Sequence, residues 1–208
     1  KKITFTPAYH RMSRFIESIC FENKQYHLLE LHQQRIDRTF KKHFPLTIPF
    51  DLASRLPDLN FDEKYKVRVL YSNEALDVEY AKYVPAKIKT LMPVETNKMS
   101  YDYKHEARGT IDKLYAQRGD ADDVIIVKNG WVTDSSYANL VFWDGNKWYT
   151  PHTYLLNGVK RQLYLKYGLI GEKSISLMNI RDFEKVSLIN AMLDIGEVEV
   201  EVKDILSH

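Results

Sequence analysis

Apolar and polar positions alternate through much of the first half of the chain, which predicts strands. Phe15 to Phe21 reads as one strand, and Glu22-Asn23-Lys24 as a turn into a second short strand around Tyr26. Tyr65 to Tyr71 and Leu76 to Val84 alternate as well, with Ser72-Asn73-Glu74 between them as a hairpin turn. Lys87 to Met92 alternates again, bracketed by Pro85 and Pro93. One stretch has a different period. Leu29, Ile36 and Phe40 recur at helical spacing, which predicts a helix from about Leu28 to Phe44, stopped by Pro45. Asp51 to Leu56 is expected to form a short helix.

Thr96 to Lys104 is polar and aperiodic, and is expected to be an inter-lobe linker. A helix follows, from about Glu106 to Arg118, with Gly119 as its stop. Val124 to Lys128 and Trp131 to Thr133 flank Asn129-Gly130, a strong hairpin signal. Asn139 to Trp143 and Lys147 to Tyr149 flank a second one, Asp144-Gly145-Asn146. Gly158 to Tyr167 reads as a helix, and Ser174 to Met178, Val186 to Ile189 and Val198 to Val202 as strands. The pattern predicts an α+β protein of two lobes. An N-terminal lobe built on an antiparallel sheet spans 1–95, the linker 96–104, and a strand-rich lobe with helices 105–208.

Composition narrows the function classes. A 12% aromatic share argues against disorder, which depletes aromatics. A net charge of +2 without a long basic run argues against a nucleic-acid partner. The basic cluster Lys41-Lys42-His43 falls at a predicted helix C-terminus, where cations complement the dipole. Cys20, the single cysteine, excludes an internal disulfide and a Cys-rich metal site, so no metal is expected. Nothing resembles a signal peptide, and no apolar run is long enough to span a membrane. The expected setting is the cytoplasm, away from membranes.

Chemistry rests on five pieces in a fixed order, each of a kind that is commonplace alone. His32 and Arg35 share a helical face beside the apolar stripe, so an inward Arg35 needs an anion, and a phosphate suits its planar fork. Lys104 stands at the linker-to-helix junction in Lys104-His105-Glu106-Ala107-Arg108, where partial desolvation favours amine reactivity. Asp134 ends one strand and Asn139 starts the next, and a carboxylate there can pair with a pyridinium nitrogen. Asn157-Gly158-Val159-Lys160-Arg161 opens a helix, whose free N–H groups suit a phosphate. Asn190-Ala191-Met192 leaves a strand with a small residue at its centre, which lets a ligand approach the backbone.

Together these pieces resemble the class IV aminotransferases, the fold-type-IV enzymes that use pyridoxal 5'-phosphate (PLP). Phe15 to Arg35 resembles the family's F-E-[ST]-I … H-x-x-R segment, Asp134 to Leu140 its E-x-x-x-x-N-L, and Asn157 to Arg161 its N-G-[IV]-x-R. Lys104-His105 with Arg108 resembles the K-H-x-x-R of the 4-amino-4-deoxychorismate lyases in that family. Ile189 to Met192 is similar to their C-N-A-L-M. The resemblance implies that Lys104 carries PLP and acts as base. It implies that Arg35, the Val159 and Lys160 backbone after Gly158, and the Asn190-Ala191 segment hold its phosphate. Asp134, with Asn139 beside it, would meet the ring nitrogen, Arg108 the ring hydroxyl side, and Arg68 a substrate carboxylate. The implied reaction is release of pyruvate and 4-aminobenzoate, a step toward folate, from a small amino substrate by a homodimer. Transamination of a branched-chain or D-amino acid is the alternative, and a non-catalytic descendant a third. This chain departs from the family in having Asp134 where Glu is usual, and in lacking a D-R-x-x-x-x-G-D-G match before Phe15.

Overall fold

Residues 2–4, 14–97, 99 and 101–206 are described in the computed structural model. The chain forms two units, residues 1–84 with 103–107 and residues 85–102 with 108–208.

In the first unit the chain runs β1 (Lys2–Thr4), β2 (Phe15–Glu22), β3 (Gln25–Tyr26), α1 (Leu29–His43), β4 (Tyr65–Tyr71) and β5 (Leu76–Lys82). The sheet order is β1-β5-β4-β2-β3, every pairing antiparallel. Asn23 and Lys24, at φ 52° and 60°, make the β2–β3 hairpin turn. That left-handed pair matches the twist of the flanking strands. Phe15, Ile19 and Phe21 project from one face of β2 and join Val67, Val69, Tyr71 and Val78 in a core closed by Ile36 and Phe40 of α1. The short helix expected over 51–56 is a 3-10 turn at Ala53–Arg55.

The return of 103–107 to this unit was not visible in the sequence. The Ile16 N–H donates to the Lys104 carbonyl at 2.9 Å, and the Glu106 N–H to the Arg14 carbonyl at 2.9 Å. Lys104 to Glu106 therefore runs antiparallel beside the N-terminal part of β2, on the side that β3 pairs only at Phe21 and Glu22, where unpaired backbone groups need partners. Tyr103–Ala107 belongs to this first unit, while 85–95, expected in the N-terminal lobe, belongs to the second. Lys98 and Ser100 of the expected linker lie outside the described residues.

The second unit contains β6 (Leu91–Thr96), α2 (Gly109–Tyr115), β7 (Asp123–Lys128), β8 (Trp131–Val132), β9 (Asn139–Trp143), β10 (Trp148–Pro151), α3 (Val159–Lys166), β11 (Gly171–Lys173), β12 (Lys185–Ile189) and β13 (Glu199–Glu201). One sheet has the order β6-β7-β8, the other β11-β10-β9-β12-β13. The β6–β7 and β10–β11 pairs are parallel. The strand expected over 87–92 is β6, shifted to Leu91–Thr96, with Pro93 inside it. Proline lacks the N–H of a central strand, but β6 is an edge strand and tolerates it. No strand forms over 174–178. The Asn179 side chain accepts from the Ser176 N–H at 2.8 Å and donates to the Ser174 carbonyl at 3.1 Å, closing a local turn instead. Among the described residues no helix is long and apolar enough to cross a membrane.

Candidate active site

A glutamate stands in the middle of the apolar strand β2. The alternation that sends Phe15 and Ile19 into the core sends Glu17 there too, fully buried. An ionised carboxylate in such surroundings needs partners. Helix α1 supplies both from one face. Arg35 forks onto Glu17, its Nε donating to Oε1 at 2.8 Å and its Nη2 to Oε2, while His32 Nδ1 meets Oε2 at 2.6 Å. Burial pushes the Glu17 carboxyl up, but the charge and hydrogen bonds of Arg35, helped by His32, outweigh it and bring the group down to about 2. Burial holds the His32 imidazole below its usual range, against the pull of Glu17 and with help from the charges of Arg35 and Lys104. Arg35 points inward, as its place beside the apolar stripe suggests, and the anion it meets there is an internal carboxylate. The sequence carried a sign of this partner in the lone acid of Phe15-Ile16-Glu17-Ser18-Ile19.

Lys104 is half-buried, with its backbone fixed alongside Ile16. Its neighbours Tyr103 and His105 anchor that segment. The Tyr103 and His43 rings lie 4.5 Å apart, and Phe15 lies 4.7 Å from both His43 and His105. Arg68 sits on β4 in register with Ser18 and Glu79. Its guanidinium pairs with Glu79, and both side chains are part-exposed.

In the second unit a second buried carboxylate organises the loops around β9. Asp134 Oδ1 accepts from Asn139 Nδ2 at 2.8 Å, and Oδ2 accepts from the N–H groups of Leu155 and Leu156 at 3.0 and 2.9 Å. Burial raises this carboxyl to about 6, although the Leu156 N–H, Asn139, the Leu155 N–H and the charge of Arg161 all pull it down. Asn139 also donates to the Leu156 carbonyl at 2.9 Å. It lies so close to Gly158 that a Cβ there would be 2.1 Å from Asn139 Oδ1. That contact is an internal reason for glycine at this position. The turn between Asp134 and Asn139 is held by the Ser135 hydroxyl, which accepts from the Tyr137 and Ala138 N–H groups at 3.3 and 3.1 Å. Arg108 donates to the Ser136 carbonyl in the same turn.

Gly158, in extended conformation, opens α3 with no side-chain cap. Val159 is buried. The Lys160 ammonium is turned to Asp194 at 2.6 Å, so its backbone rather than its charge faces the helix start. Arg161, also buried, bonds Asn157 Oδ1 and the Pro151 carbonyl at 3.1 Å each. Asn190 closes its own turn by accepting from the Met192 N–H at 2.8 Å, with Ala191 between them, and its Nδ2 donates to the Tyr137 carbonyl at 3.4 Å. The second unit thus gathers Arg108, Asp134, Asn139, Gly158 and Asn190 through one hydrogen-bonded set of turns. The first gathers Arg35 and Lys104 around β2, while Arg68, in register with Ser18, lies on the sheet face opposite Glu17.

These groups have the chemistry PLP requires. The uncapped start of α3 leaves N–H groups for an anion. Asp134 Oδ1 has taken one donor and has room for a second, which suits a protonated ring nitrogen. Asp134 is also ionised above about pH 6, as that pairing demands.

Comparison with known proteins agrees with this reading. A family model described as amino-transferase class IV matches residues 52–199. An uncharacterized protein from Haemophilus influenzae is 36% identical over 185 residues, which cover 87% of this chain and 98% of that protein. Among solved structures, a candidate 4-amino-4-deoxychorismate lyase from Haemophilus somnus superposes with a TM-score of 0.83 at 28% identity, covering 88% of this chain and 98% of that one. A hypothetical aminotransferase from Mycobacterium tuberculosis, in its PLP-bound form, gives 0.71 at 15% identity over 98% and 90% of the two chains, a likeness of fold.

Proposed function

The chain belongs to the class IV aminotransferase family, and we propose that it is a cytoplasmic PLP enzyme, a lyase releasing pyruvate and 4-aminobenzoate from 4-amino-4-deoxychorismate. The observation that carries this reading is Lys104, a half-buried amine whose backbone is fixed beside the Glu17–His32–Arg35 cluster, in a Lys104-His105-x-x-Arg108 setting. The likeness to the Haemophilus somnus protein supports the lyase over other activities of the family.

Lys104 would hold the cofactor through Nζ. Arg35 and the Val159 and Lys160 N–H groups would hold its phosphate, with the Asn190-Ala191 turn alongside. Asp134, kept in place by Asn139, would meet the ring nitrogen, and Arg108 the ring hydroxyl side. When bound, PLP supplies an electron sink for the carbon that bears the substrate amine. Lys104 Nζ would then serve as the base that removes the proton from that carbon. Arg68 would orient a substrate carboxylate by exchanging its Glu79 partner for the ligand.

The test is a substrate panel on the PLP-loaded protein, preceded by borohydride treatment and peptide mapping. Covalent PLP on the Lys104 peptide together with pyruvate release from aminodeoxychorismate is the expected result. Transfer of the amine to a keto acid without pyruvate would identify a transaminase. Label on another lysine, or no label, would overturn the assignment of Lys104, and no activity on any substrate would mark a non-catalytic descendant.

A further inference from the structure

His32 is fully buried, and only one of its two ring nitrogens is used. Nδ1 meets Glu17, while Nε2 has no hydrogen-bond partner. A buried polar atom left without a partner costs free energy, and such atoms in a native fold point to a role. Glu17 fixes the tautomer. Its ionised carboxylate, held by the Arg35 fork, accepts the Nδ1 proton and leaves Nε2 as a lone-pair acceptor. Among the described residues, Lys104 also carries a charge within electrostatic reach of this ring, besides Glu17 and Arg35. Its backbone is tied to Ile16, the residue beside Glu17.

We propose that His32 is a positioning residue for Lys104, its Nε2 accepting a hydrogen bond from the Lys104 amine. The four-carbon lysine stem is flexible, and the ring cannot turn away without losing Glu17. The acceptor favours the ammonium form, which offers three N–H donors. The cluster thereby gives Glu17 one function through both of its α1 partners. It holds the Arg35 fork on one side and the His32 tautomer on the other. Burial keeps the ring neutral, so the acceptor persists through the range in which an amine changes charge. The inference rests on the reading of Lys104 as the reactive lysine only for its meaning in catalysis, because the proposed hydrogen bond joins two residues of this chain.

The experiment follows acetylation of Lys104 in PLP-free full-length protein across pH, with the Lys104 peptide quantified by mass spectrometry. His32→Asn retains a donor near the Nδ1 position for Glu17 and removes the distal acceptor, whereas His32→Gln retains a distal acceptor. In His32→Asn the midpoint of the reactivity profile should fall by about one pH unit, so that Lys104 reacts about tenfold faster below it. His32→Gln should recover most of the wild-type profile. Identical profiles in wild type and a folded His32→Asn would overturn the proposal. Should that variant fail to fold, the ¹⁵N resonance of His32 Nε2 decides the matter in wild type and Lys104→Met. An unchanged shift overturns the proposal and a change supports it. Borohydride labelling is read separately, so loss of the PLP assignment with an intact His32 effect is distinguishable from the reverse.

Discussion

Two buried carboxylates shifted in opposite directions set the behaviour of single residues. Burial pushes the Asp134 carboxyl up to about 6 in the fold, above the ordinary aspartate range. An acid raised by folding binds its proton more tightly in the native state, so its ionisation destabilises the fold as pH rises from about 4 to about 6, by up to about 3 kcal/mol. Asp134→Asn cannot ionise. The melting temperature of the PLP-free wild type, taken relative to that variant, should therefore decline across this interval and level off above it. A flat difference would mean that Asp134 titrates as an ordinary surface acid. Arg35 makes the opposite case. Because it neutralises Glu17, Arg35→Ala should lower stability by about 3–5 kcal/mol in urea unfolding, the cost of stranding a buried charge. The double variant Glu17→Gln with Arg35→Met, apolar but for one amide, should regain much of that stability while still retaining PLP poorly. Full PLP retention in the double variant would remove Arg35 from the phosphate site. The sequence made Arg35 legible as an inward cation, but the identity of its anion depended on strand β2 facing α1, which no local pattern encodes.

At the scale of elements, the start of α3 depends on one missing methyl group. Gly158 has φ of −65°, a conformation open to any residue, so its backbone does not require glycine. Space does, since an added Cβ would meet Asn139 Oδ1 at 2.1 Å, and Asn139 is held by both Asp134 and the Leu156 carbonyl. Gly158→Ala should cost about 1–3 kcal/mol in thermal or urea unfolding. Combining it with Asn139→Ala should cost clearly less than the two separate losses, the signature of a shared contact. Simple additivity would show that the helix start adjusts without Asn139. Elements with strong local patterns were legible: β2, β4 and β5 from alternation, β7 and β8 from the Asn129-Gly130 turn, α1 from its helical spacing. The parallel pairs β6–β7 and β10–β11 were not, because their partners are far apart in sequence and no turn chemistry records them. Ser174 to Met178 alternates like a strand, but Asn179 captures its backbone first.

At the scale of the whole molecule, the sequence pattern changes lobe after residue 95, whereas the structure groups 85–102 with 108–208 and returns 103–107 to the first unit. Composition marks polar stretches well, whereas membership of a unit is decided by pairing. Tyr103–Ala107 pairs with β2, and β6 pairs with β7. Association is the remaining question at this scale. The family resemblance implies a homodimer, and two features of the chain are compatible with it. A net charge of +2 opposes self-association only weakly. Leu46, Ile48 and Val84 in the first unit, and Met178 in the second, leave most of their apolar surface open to solvent. Sedimentation velocity at micromolar concentration should give twice the 24.5 kDa chain mass for the PLP-loaded protein. If dimerisation supports the site, dilution into the monomer range should release PLP and lower activity in parallel. A species sedimenting only as monomer, with PLP bound and full turnover, would show that one chain suffices for both cofactor binding and catalysis.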